Sequence, residues 1–514
     1  MSNVKTEKNS LHSQEAAHSL IAIPMGINTH HEMVAFMRSD CHVCRSEGFE
    51  ALASIQITHG QETIIAKLYV VDTEKLCENT VGLSHATLAK LKLKGGECVN
   101  VTHAPVVNSL SSLRAKIFNR PFTENDLEEI VGDIANGHYN DVEIASFVTA
   151  CGGDRLSIDE ITWLTSAMVN VGERLDWGTT PVLDKHCVGG LPGNRTTPIV
   201  VSIVAANGLL IPKTSSRAIT SPAGTADTME VLTSVNLDLS RLRQVVQSTG
   251  ASLAWGGSVK LSPVDDVLIR VEKVLDLDSE GQLIASVLSK KLAAGSTHVL
   301  IDIPTGPSAK VRTVDAAEKL SRQLIEVGKR LNLKVETIIT DGNEPVGRGI
   351  GAGLEARDVL KVLKGEADAP GNLKERSLTL AGLLLEMGGK ANKGQGKILA
   401  TNTLETGKAW QKFMEICLSQ GGLKQLDNTA HTYSFNAPYK GVIEQVDNRK
   451  LARLAKLAGA PASSVAGVDW KVRLGQTVEK GQSILDIHAE TKGELNYAYE
   501  YLLANEDIVI LGER

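Results

Sequence analysis

Two polar loops, each between a predicted β-strand and a predicted α-helix, constrain the fold of this chain most strongly. The first loop, Asp184–Thr197, follows a strand at Pro181–Leu183 and leads into a helix at Thr196–Ala206. The second loop, Lys213–Asp227, follows a strand at Leu209–Pro212 and leads into another helix. Alternating strands and helices build parallel sheets with right-handed crossovers. The carboxyl ends of the two strands then share one edge, where we expect the loops to form one ligand-binding crevice.

The residue types in both loops indicate an anion-binding site. In the first loop, Gly189, Gly190 and Gly193 let the backbone approach a ligand closely, and Lys185 adds a positive charge. The second loop carries hydroxyl groups at positions 214, 215, 216, 220, 221 and 225, which is more than one helix cap requires. The glycine spacing matches neither a P-loop nor a dinucleotide fingerprint. An ordinary glycine-rich turn remains the alternative for the first loop.

The rest of the sequence predicts an α/β multidomain protein. Its 514 residues suggest about three domains from length alone, and the pattern of elements then separates four regions and a tail. The predicted regions are a disordered tail at 1–16, an N-terminal β-rich assembly domain at 17–106, a split all-helical domain at 107–180 plus 265–297, a parallel-sheet α/β phosphate-binding domain at 181–264 plus 298–430, and a C-terminal β-rich part of α+β type at 431–514.

Composition excludes several classes of protein. A net charge of -6 lacks the basic excess of a duplex-binding protein, and 4% aromatic residues offer few stacking platforms for single strands. The longest apolar stretch, 198–212, is too short to span a bilayer, and the first residues are polar. Seven scattered cysteines suit a reducing compartment. We therefore expect a cytoplasmic protein without nucleic-acid or membrane partners. Cys41 and Cys44 form a lone C-x-x-C pair without a second pair for zinc, so no metal is predicted.

Five motifs carry a resemblance to a known family. They are KHCVGG at Lys185–Gly190, SSRAITSPAGTAD at Ser215–Asp227, SVLSKK at Ser286–Lys291, GPSAK at Gly306–Lys310 and TDGNEPVGR at Thr340–Arg348. From about residue 122 to near its C-terminus, the chain resembles the thymidine/pyrimidine-nucleoside phosphorylases. It is most similar to their long branch, which contains type 2 thymidine phosphorylases and AMP phosphorylases, and region 17–106 resembles that branch alone. The resemblance implies a pentosyltransferase that cleaves the N-glycosidic bond with inorganic phosphate as co-substrate and no other cofactor.

The resemblance also implies roles for individual residues. The phosphate ligands would be Lys185, Thr197, Ser215 and Thr225. The pyrimidine-base ligands of short-chain members correspond to Arg270, Ser286 and Lys290. The nucleotide contacts of the AMP branch correspond to Gly190, Ser216, Arg217, Ala218, Ile219, Thr220, Ser221, Thr225, Ser286 and Lys310. Cys187 stands where short-chain members have a serine.

Two residues are candidates for the general acid that protonates the departing base. Such an acid contributes typically about 10²–10⁴-fold to the rate. Asp278 corresponds to the proton donor of the AMP branch, and it needs a raised pKa to act. His186 needs little tuning near neutral pH. We favour Asp278 for a purine substrate and His186 for a pyrimidine. Without the resemblance, the surroundings of Asp278 would predict only a helix-capping turn.

Several functional alternatives stay open at this point. The substrate is a nucleoside such as thymidine or a nucleotide such as AMP, because type 2 thymidine phosphorylases and AMP phosphorylases share the second loop. A phosphoribosyltransferase of the related fold is the second enzymatic hypothesis, with Asp227 and Glu230 as possible magnesium ligands. A non-enzymatic scaffold is the third, and the retained catalytic positions disfavour it. In the AMP branch the N-terminal region supports assembly, so the resemblance implies a homodimer or a higher homo-oligomer.

Overall fold

The computed structural model describes residues 18–72, 75–193, 195–218, 221–259, 261–275, 277, 279–427 and 431–513. The predicted disordered tail at 1–16 lies outside these residues. The chain divides into two compact units, one reaching Ala115 and including Gly132–Ile144, the other formed by Lys116–Val131 and Ala145 onward. The domain boundaries predicted from the sequence stay a prediction.

The first unit is built around a closed six-stranded barrel. Its strands are β1 (Ser19–Pro24), β2 (Val34–Arg38), β3 (Ser54–His59), β4 (Glu62–Val71), β5 (Thr80–Leu83) and β6 (Cys98–His103). They follow the order β1-β5-β2-β4-β3-β6, with β1 antiparallel to β6 at the closure. Two short helices, α1 (His42–Glu47) and α2 (His85–Leu91), accompany them. Alternating side chains such as Ile55 and Ile57 fill the interior, as expected for strands with one buried face. Cys41 and Cys44 are buried free cysteines in this core.

A run of helices follows the barrel along the chain. These helices are α3 (Leu110–Ile117), α4 (Glu124–Ala135), α5 (Asp141–Ala150) and α6 (Ile158–Asn170). α6 begins with a capping box, in which Ser157 Oγ accepts the backbone N–H of Glu160 at 3.2 Å and the Glu160 carboxylate accepts the N–H of Ser157. Such reciprocal pairing satisfies two backbone donors at the exposed start of the helix.

A parallel sheet forms the centre of the second unit. Its strands are β7 (Leu183–Cys187), β8 (Ile211–Ser215), β9 (Ala251–Trp255), β10 (His298–Thr305) and β11 (Lys334–Asp341). One set pairs in the order β11-β10-β7, the other is β8-β9, and a parallel bridge between Val182 and Leu210 joins β7 to β8. All these pairings are parallel, so the strands end at one edge.

Helices alternate with these strands along the chain and follow them. They are α7 (Thr196–Ala206), α8 (Thr225–Glu230), α9 (Leu239–Thr249), α10 (Pro263–Leu275), α11 (Glu280–Ala293), α12 (Val314–Arg330), α13 (Ala352–Lys364), α14 (Gly371–Met387), α15 (Gly396–Glu405) and α16 (Lys408–Ser419), and a 3-10 turn lies at Gly256–Val259. α7 is buried along nearly its whole length. A helix buried on all sides belongs to the core rather than to an amphipathic surface layer.

The C-terminal part contains two small sheets and two helices. Its elements are β12 (Gly349–Ile350), β13 (His431–Asn436), β14 (Gly441–Val446), α17 (Asn448–Leu457), β15 (Gly467–Trp470), β16 (Thr477–Val478), β17 (Ser483–Ala489), α18 (Lys492–Ala504), a 3-10 turn (Glu506–Ile508) and β18 (Val509–Glu513). One sheet has the order β12-β15-β17-β13 and the other β16-β14-β18. The predicted fold class is therefore confirmed: a β-rich N-terminal region, helices, a parallel α/β sheet and a C-terminal α+β part.

Within the described ranges, no helix combines the length and the apolar character that crossing a bilayer requires.

Candidate active site

The first and second loops leave the sheet at neighbouring strands. β7 ends at Cys187 and β8 ends at Ser215, and the bridge between Val182 and Leu210 places these strands side by side. Because both strands run in the same direction, both loops emerge at the carboxyl edge of the sheet. That edge is the usual ligand site of open α/β sheets.

Lys185 is a buried cation at the base of the first loop. Its side chain is completely buried, and its Nζ donates a hydrogen bond of 2.7 Å to Thr196 Oγ1. The Thr196 hydroxyl in turn donates to the Gly193 carbonyl at 3.0 Å. These contacts hold the ammonium beside the start of α7, where free backbone N–H groups favour an anion. Thr197 is the next residue of that helix. Thr196 is not among the predicted phosphate ligands, although its hydroxyl beside Thr197 offered a signal in the sequence.

The glycines of the first loop allow a tight turn next to Lys310. Gly189 and Gly190 have φ values of 86° and 85°, in the left-handed region that side chains disfavour. A Cβ added to Gly189 would lie only 3.5 Å from Lys310 Cδ. The structure thus brings two predicted nucleotide contacts, Gly190 and Lys310, to the same loop.

Cys187 packs inside the first loop. A Cβ added to Gly193 would lie 2.3 Å from Cys187 Sγ, so this glycine makes room for the thiol. Burial raises the pKa of Cys187 to about 12, which keeps the thiol neutral.

Ser215 carries a buried and unpaired hydroxyl at the start of the second loop. Its Oγ is buried and has no hydrogen-bond partner within the described ranges. Buried polar groups are nearly always paired, so an unpaired one marks a position where a ligand can bind. Thr225 is the first residue of α8. Ser216 is exposed, whereas Ser221 Oγ donates to the Ala223 carbonyl at 2.8 Å.

Arg217 is held by neighbouring side chains of its own loop and of α8. Its guanidinium donates to Glu230 Oε1 at 2.7 Å, lies 3.3 Å from Asp227 Oδ1 and covers the Trp255 ring at 4.8 Å. The hydrogen bond to Glu230 contributes most to the raised pKa of Arg217. Arg217 therefore stabilises the second loop, whatever further contact it makes with a substrate.

Asp227 shapes the second loop from within. Its Oδ2 accepts the backbone N–H groups of Ala218 at 2.6 Å and of Gly224 at 2.8 Å. Gly224 also lies so close to the beginning of the loop that an added Cβ would be 2.5 Å from the Ser216 carbonyl oxygen. The second loop is therefore closely packed, and a larger side chain at Gly224 would displace its backbone.

His186 lies on β7, one residue before the end of this strand. Burial, followed by nearby positive charges, holds the pKa of His186 well below its usual value of 6.5. These charges belong to Lys291, Lys213, Lys290 and Lys185. The imidazole is therefore neutral at neutral pH. The expectation that His186 needs little tuning is wrong, because its surroundings disfavour the protonated form.

Ser286 and Lys290 lie one turn apart on α11 and contact each other. Lys290 Nζ donates to Ser286 Oγ at 3.0 Å and to Asp265 Oδ2 at 2.7 Å. Asp265 lies in the first turn of α10 and is almost completely buried, and Arg270 lies further along the same helix. Asp265 is not among the predicted site residues, because an acidic residue in a first helical turn is also explained by the helix dipole.

Three predicted site residues lie outside the described residues. They are Ile219, Thr220 and Asp278. The role of Asp278 as a proton donor thus stays a prediction.

A separate group with metal-ligand geometry lies in the C-terminal part. Oxygen and nitrogen atoms of Asp469, Asp486 and His488 lie within 4.8 Å of one another. Each carboxylate already has a cationic partner, since Arg357 contacts Asp469 at 3.0 Å and Lys471 contacts Asp486. Because both carboxylates are already paired with cations, ion pairing at the sheet surface accounts for this group without a metal.

Comparison with families of known proteins gives two matches. Residues 110–172 match the family described as "Glycosyl transferase family, helical bundle domain". Residues 179–410 match the family described as "Glycosyl transferase family, a/b domain".

Similar proteins cover almost the whole chain. A protein of Acidovorax sp. (strain JS42), named "Putative thymidine phosphorylase 2", is 55% identical over 501 residues, which are 98% of each chain. A protein of Hahella chejuensis (strain KCTC 2396), named "Putative thymidine phosphorylase", is 55% identical over 478 residues, covering 93% of this chain and 95% of its own. Among solved structures, anthranilate phosphoribosyltransferase from Thermus thermophilus matches with a TM-score of 0.52 and 18% identity. That match covers 60% of this chain and 99% of the other, and at this identity the likeness concerns the fold alone.

Proposed function

This chain belongs to the thymidine phosphorylase family of pentosyltransferases, and from that premise we propose a specific reaction for it. The reaction is the phosphorolytic cleavage of a nucleoside or nucleoside monophosphate into the free base and a pentose 1-phosphate. One observation supports it above all. At the carboxyl edge of one sheet, a buried lysine at a helix start neighbours a loop whose buried Ser215 hydroxyl has no partner among the described residues.

The chemistry requires an anion site and an acid. An oxygen of inorganic phosphate forms a bond to C1′ of the pentose while the bond from C1′ to the base nitrogen breaks. The bonding electrons leave with the base, which then takes a proton. The buried Lys185, Thr197 and Ser215 suit the phosphate, because charge-assisted hydrogen bonds are the strong ones. Ser286 and Lys290 suit the oxygen atoms of the base, on which negative charge develops.

The proposed acids act in different ways. A neutral His186 donates a hydrogen bond from its ring N–H to a carbonyl oxygen of a pyrimidine. Asp278, in its protonated form, delivers a proton to a purine nitrogen. Phosphorolysis by the Asp278→Asn and His186→Ala variants distinguishes the two. Loss of activity in one variant identifies the acid, and full activity in both contradicts the assignment.

The nature of the substrate is proposed from the chemistry of the second loop. A 5′-phosphate needs extra hydrogen-bond donors, and the hydroxyls at positions 214 to 225 offer them. This favours AMP, whereas the names of the similar proteins favour thymidine. A panel of thymidine, uridine, AMP, CMP and UMP with phosphate, read out as free base, decides between them. Release of base from none of the five would contradict the proposed reaction.

The alternative phosphoribosyltransferase function has less support. That chemistry uses magnesium held by carboxylates, and Asp227 and Glu230 were the candidate ligands. In the structure both carboxylates hold Arg217, and Asp227 also accepts two backbone N–H groups of its loop. Activity that requires magnesium and phosphoribosyl pyrophosphate, without any response to phosphate, would favour the alternative.

The remaining expectations about cofactor, assembly and location are also part of this proposal. We propose that inorganic phosphate is the one co-substrate, without a further cofactor, and that the protein acts in the cytoplasm as a homodimer or higher homo-oligomer. The N-terminal barrel is the proposed assembly module. Deleting residues 1–106 would then lower the mass measured by light scattering by more than the deleted residues alone. An unchanged subunit number contradicts this role.

A further inference from the structure

A buried cluster of one carboxylate and two ammonium groups lies beneath the candidate active site. Asp184 is completely buried, and Lys213 and Lys291 are 4% and 2% exposed. Lys291 Nζ is 2.8 Å from Asp184 Oδ2, and Lys213 Nζ is 3.3 Å from Asp184 Oδ1. Lys213 Nζ also donates to the Thr214 carbonyl at 2.7 Å.

Each member of this cluster adjoins a residue with a role in the proposed reaction. Asp184 on β7 directly precedes Lys185, and its Oδ1 accepts the Lys185 backbone N–H at 2.6 Å. Lys213 lies on β8, two residues before Ser215. Lys291 lies on α11, one residue after the base-site Lys290. One carboxylate therefore connects the origins of both loops with the helix that carries the proposed base site.

The charges in this region do not balance. Lys185 is a third buried lysine, and its Nζ donates a hydrogen bond to the Thr196 hydroxyl. Among the described residues, no carboxylate forms an ion pair with it. Lys213 and Lys291 thus share Asp184, whereas the other buried aspartate beside the first loop, Asp302, lies 3.8 Å from Arg376. Burial is the largest cause that lowers the pKa of Lys213, while the two lysines lower the pKa of Asp184 against the effect of burial. A doubly charged anion in the loops above would offset the excess positive charge.

Elsewhere in the chain a buried ion pair lacks such an excess. Lys116 and Glu160 are 7% and 3% exposed and pair one to one. The other hydrogen bonds of this pair go to backbone groups, because Lys116 donates to the Arg155 carbonyl and Glu160 accepts from the Phe122 N–H. This pair needs no ligand to balance its charge, so it represents a purely structural ion pair.

We propose that Asp184, Lys213 and Lys291 form a positioning cluster that fixes the two anion-binding loops against the base-binding helix and attracts the phosphate dianion through its excess positive charge. This inference rests on the proposed phosphorolytic function. The cluster acts through Lys185, Ser215 and Lys290, which are the groups proposed to contact the substrates.

The test compares Lys291→Met with Lys116→Met, which removes a lysine of similar burial from the structural pair. In Lys291→Met, Asp184 and Lys213 remain as a balanced pair, so the variant is expected to fold. We expect its Kd for phosphate, measured by calorimetry, and its KM for phosphate to rise by about tenfold or more, since a buried charge is removed near the anion. The pKa of His186, followed by NMR, should also rise, because one of the nearby positive charges is lost. Lys116→Met should lower the thermal stability and leave both phosphate constants within about twofold.

The other outcomes distinguish failure of the positioning cluster from failure of the proposed reaction. Wild-type phosphate affinity in Lys291→Met, or an equal loss in both variants, overturns the positioning cluster. Wild-type protein that binds no phosphate overturns it as well. If the wild type binds phosphate and releases no base from any nucleoside, the proposed reaction fails, and the calorimetric comparison still tests the cluster. Lys291→Gln keeps a donor toward Asp184 and serves as the second variant if circular dichroism shows that Lys291→Met is unfolded.

Discussion

At the scale of single residues, substitution of Ser215 is expected to weaken phosphate binding without lowering the stability of the protein. In Ser215→Ala, we expect the KM for phosphate to rise about fivefold to tenfold, the effect of losing one hydrogen bond of about 1–1.5 kcal/mol to a charged ligand. The free energy of unfolding should stay within about 0.5 kcal/mol, because the hydroxyl has no partner to lose among the described residues. Steady-state kinetics and urea unfolding measure the two quantities.

A second buried serine provides the matched control for Ser215. Ser463 Oγ is likewise buried without a hydrogen-bond partner in the described structure, and it lies in the C-terminal part of the chain. Ser463→Ala should change neither the KM nor the stability. If Ser215→Ala behaves in the same way, Ser215 does not contact phosphate.

The neutral state of His186 predicts a specific dependence on pH. Its folded-state pKa lies well below 6.5, whereas the unfolded chain takes up a proton near pH 6.5. The free energy of unfolding therefore decreases as the pH falls below 6.5, and His186→Asn lacks this contribution. NMR titration of labelled histidine should show the His186 ring neutral at pH 6. A His186 resonance that titrates at or above pH 6.5 would contradict the effect of burial and of the nearby lysines.

At the scale of elements, close packing of the second loop makes Gly224 irreplaceable. An alanine Cβ at this position would lie 2.5 Å from the Ser216 carbonyl oxygen and 2.7 Å from the Arg217 carbonyl carbon. Both are backbone atoms, so the loop itself must move. We expect Gly224→Ala to lower the stability by about 1–3 kcal/mol and to reduce kcat/KM by at least about tenfold, since small misplacements at a site are costly.

Gly371 offers a matched substitution in a helix. It begins α14, and an added Cβ would meet no atom of the described residues within 4 Å. Gly371→Ala should keep full activity and be neutral or slightly stabilising, because alanine reduces the freedom of the unfolded chain. Equal activity in the two glycine variants would show that the second loop tolerates displacement.

Helices and strands could be predicted where the residues that determine them lie close together in the sequence. Thr313 caps α12 by accepting the Ala316 N–H at 3.2 Å, and apolar residues at helical spacing, such as Ala317 and Leu320, form the buried face of this helix. Both loops follow strands, but the predicted boundaries are wrong, since β7 continues to Cys187 and β8 to Ser215, four and three residues beyond the predicted strand ends. The contact between Asp184 and Lys291 was not predictable, because it joins residues far apart in sequence, and a charged residue carries no local signal of deep burial.

At the scale of the whole molecule, the sequence predicted β-rich regions without their topology. Alternating apolar residues identify strands such as β3 and β4, which pair as an antiparallel hairpin. The closure of the barrel depends instead on β1, which pairs parallel with β5 and antiparallel with β6. Such pairing between distant strands leaves no pattern in either strand alone, since alternation specifies the buried face and leaves the neighbour open.

A buried network predicts how the stability of the second unit responds to pH. Glu355 Oε1 is 3.5 Å from Arg195 Nη2, and its Oε2 accepts from Thr228 Oγ1 at 3.2 Å, so it connects α13 with α8 and with the residue that precedes α7. Burial raises the pKa of Glu355 from 4.5 to about 7, despite the opposing effect of Arg195. Between these two values, the folded protein holds a proton that the unfolded chain releases. Stability from this group is therefore present at low pH and is lost as the pH rises toward 7.

Substituting Glu355 with glutamine should remove this dependence on pH. From pH 5 to pH 8, wild-type protein should lose about 2 to 3 kcal/mol of unfolding free energy relative to Glu355→Gln, as measured by urea unfolding with tryptophan fluorescence. Glu160→Gln is the matched control, since the pKa of Glu160 is lowered and its carboxylate is ionised in both states across this range. The difference between wild type and Glu160→Gln should thus be constant from pH 5 to pH 8. A constant difference for Glu355→Gln as well would mean that Arg195 keeps Glu355 ionised, and the network would then be a permanent ion pair beneath both loops.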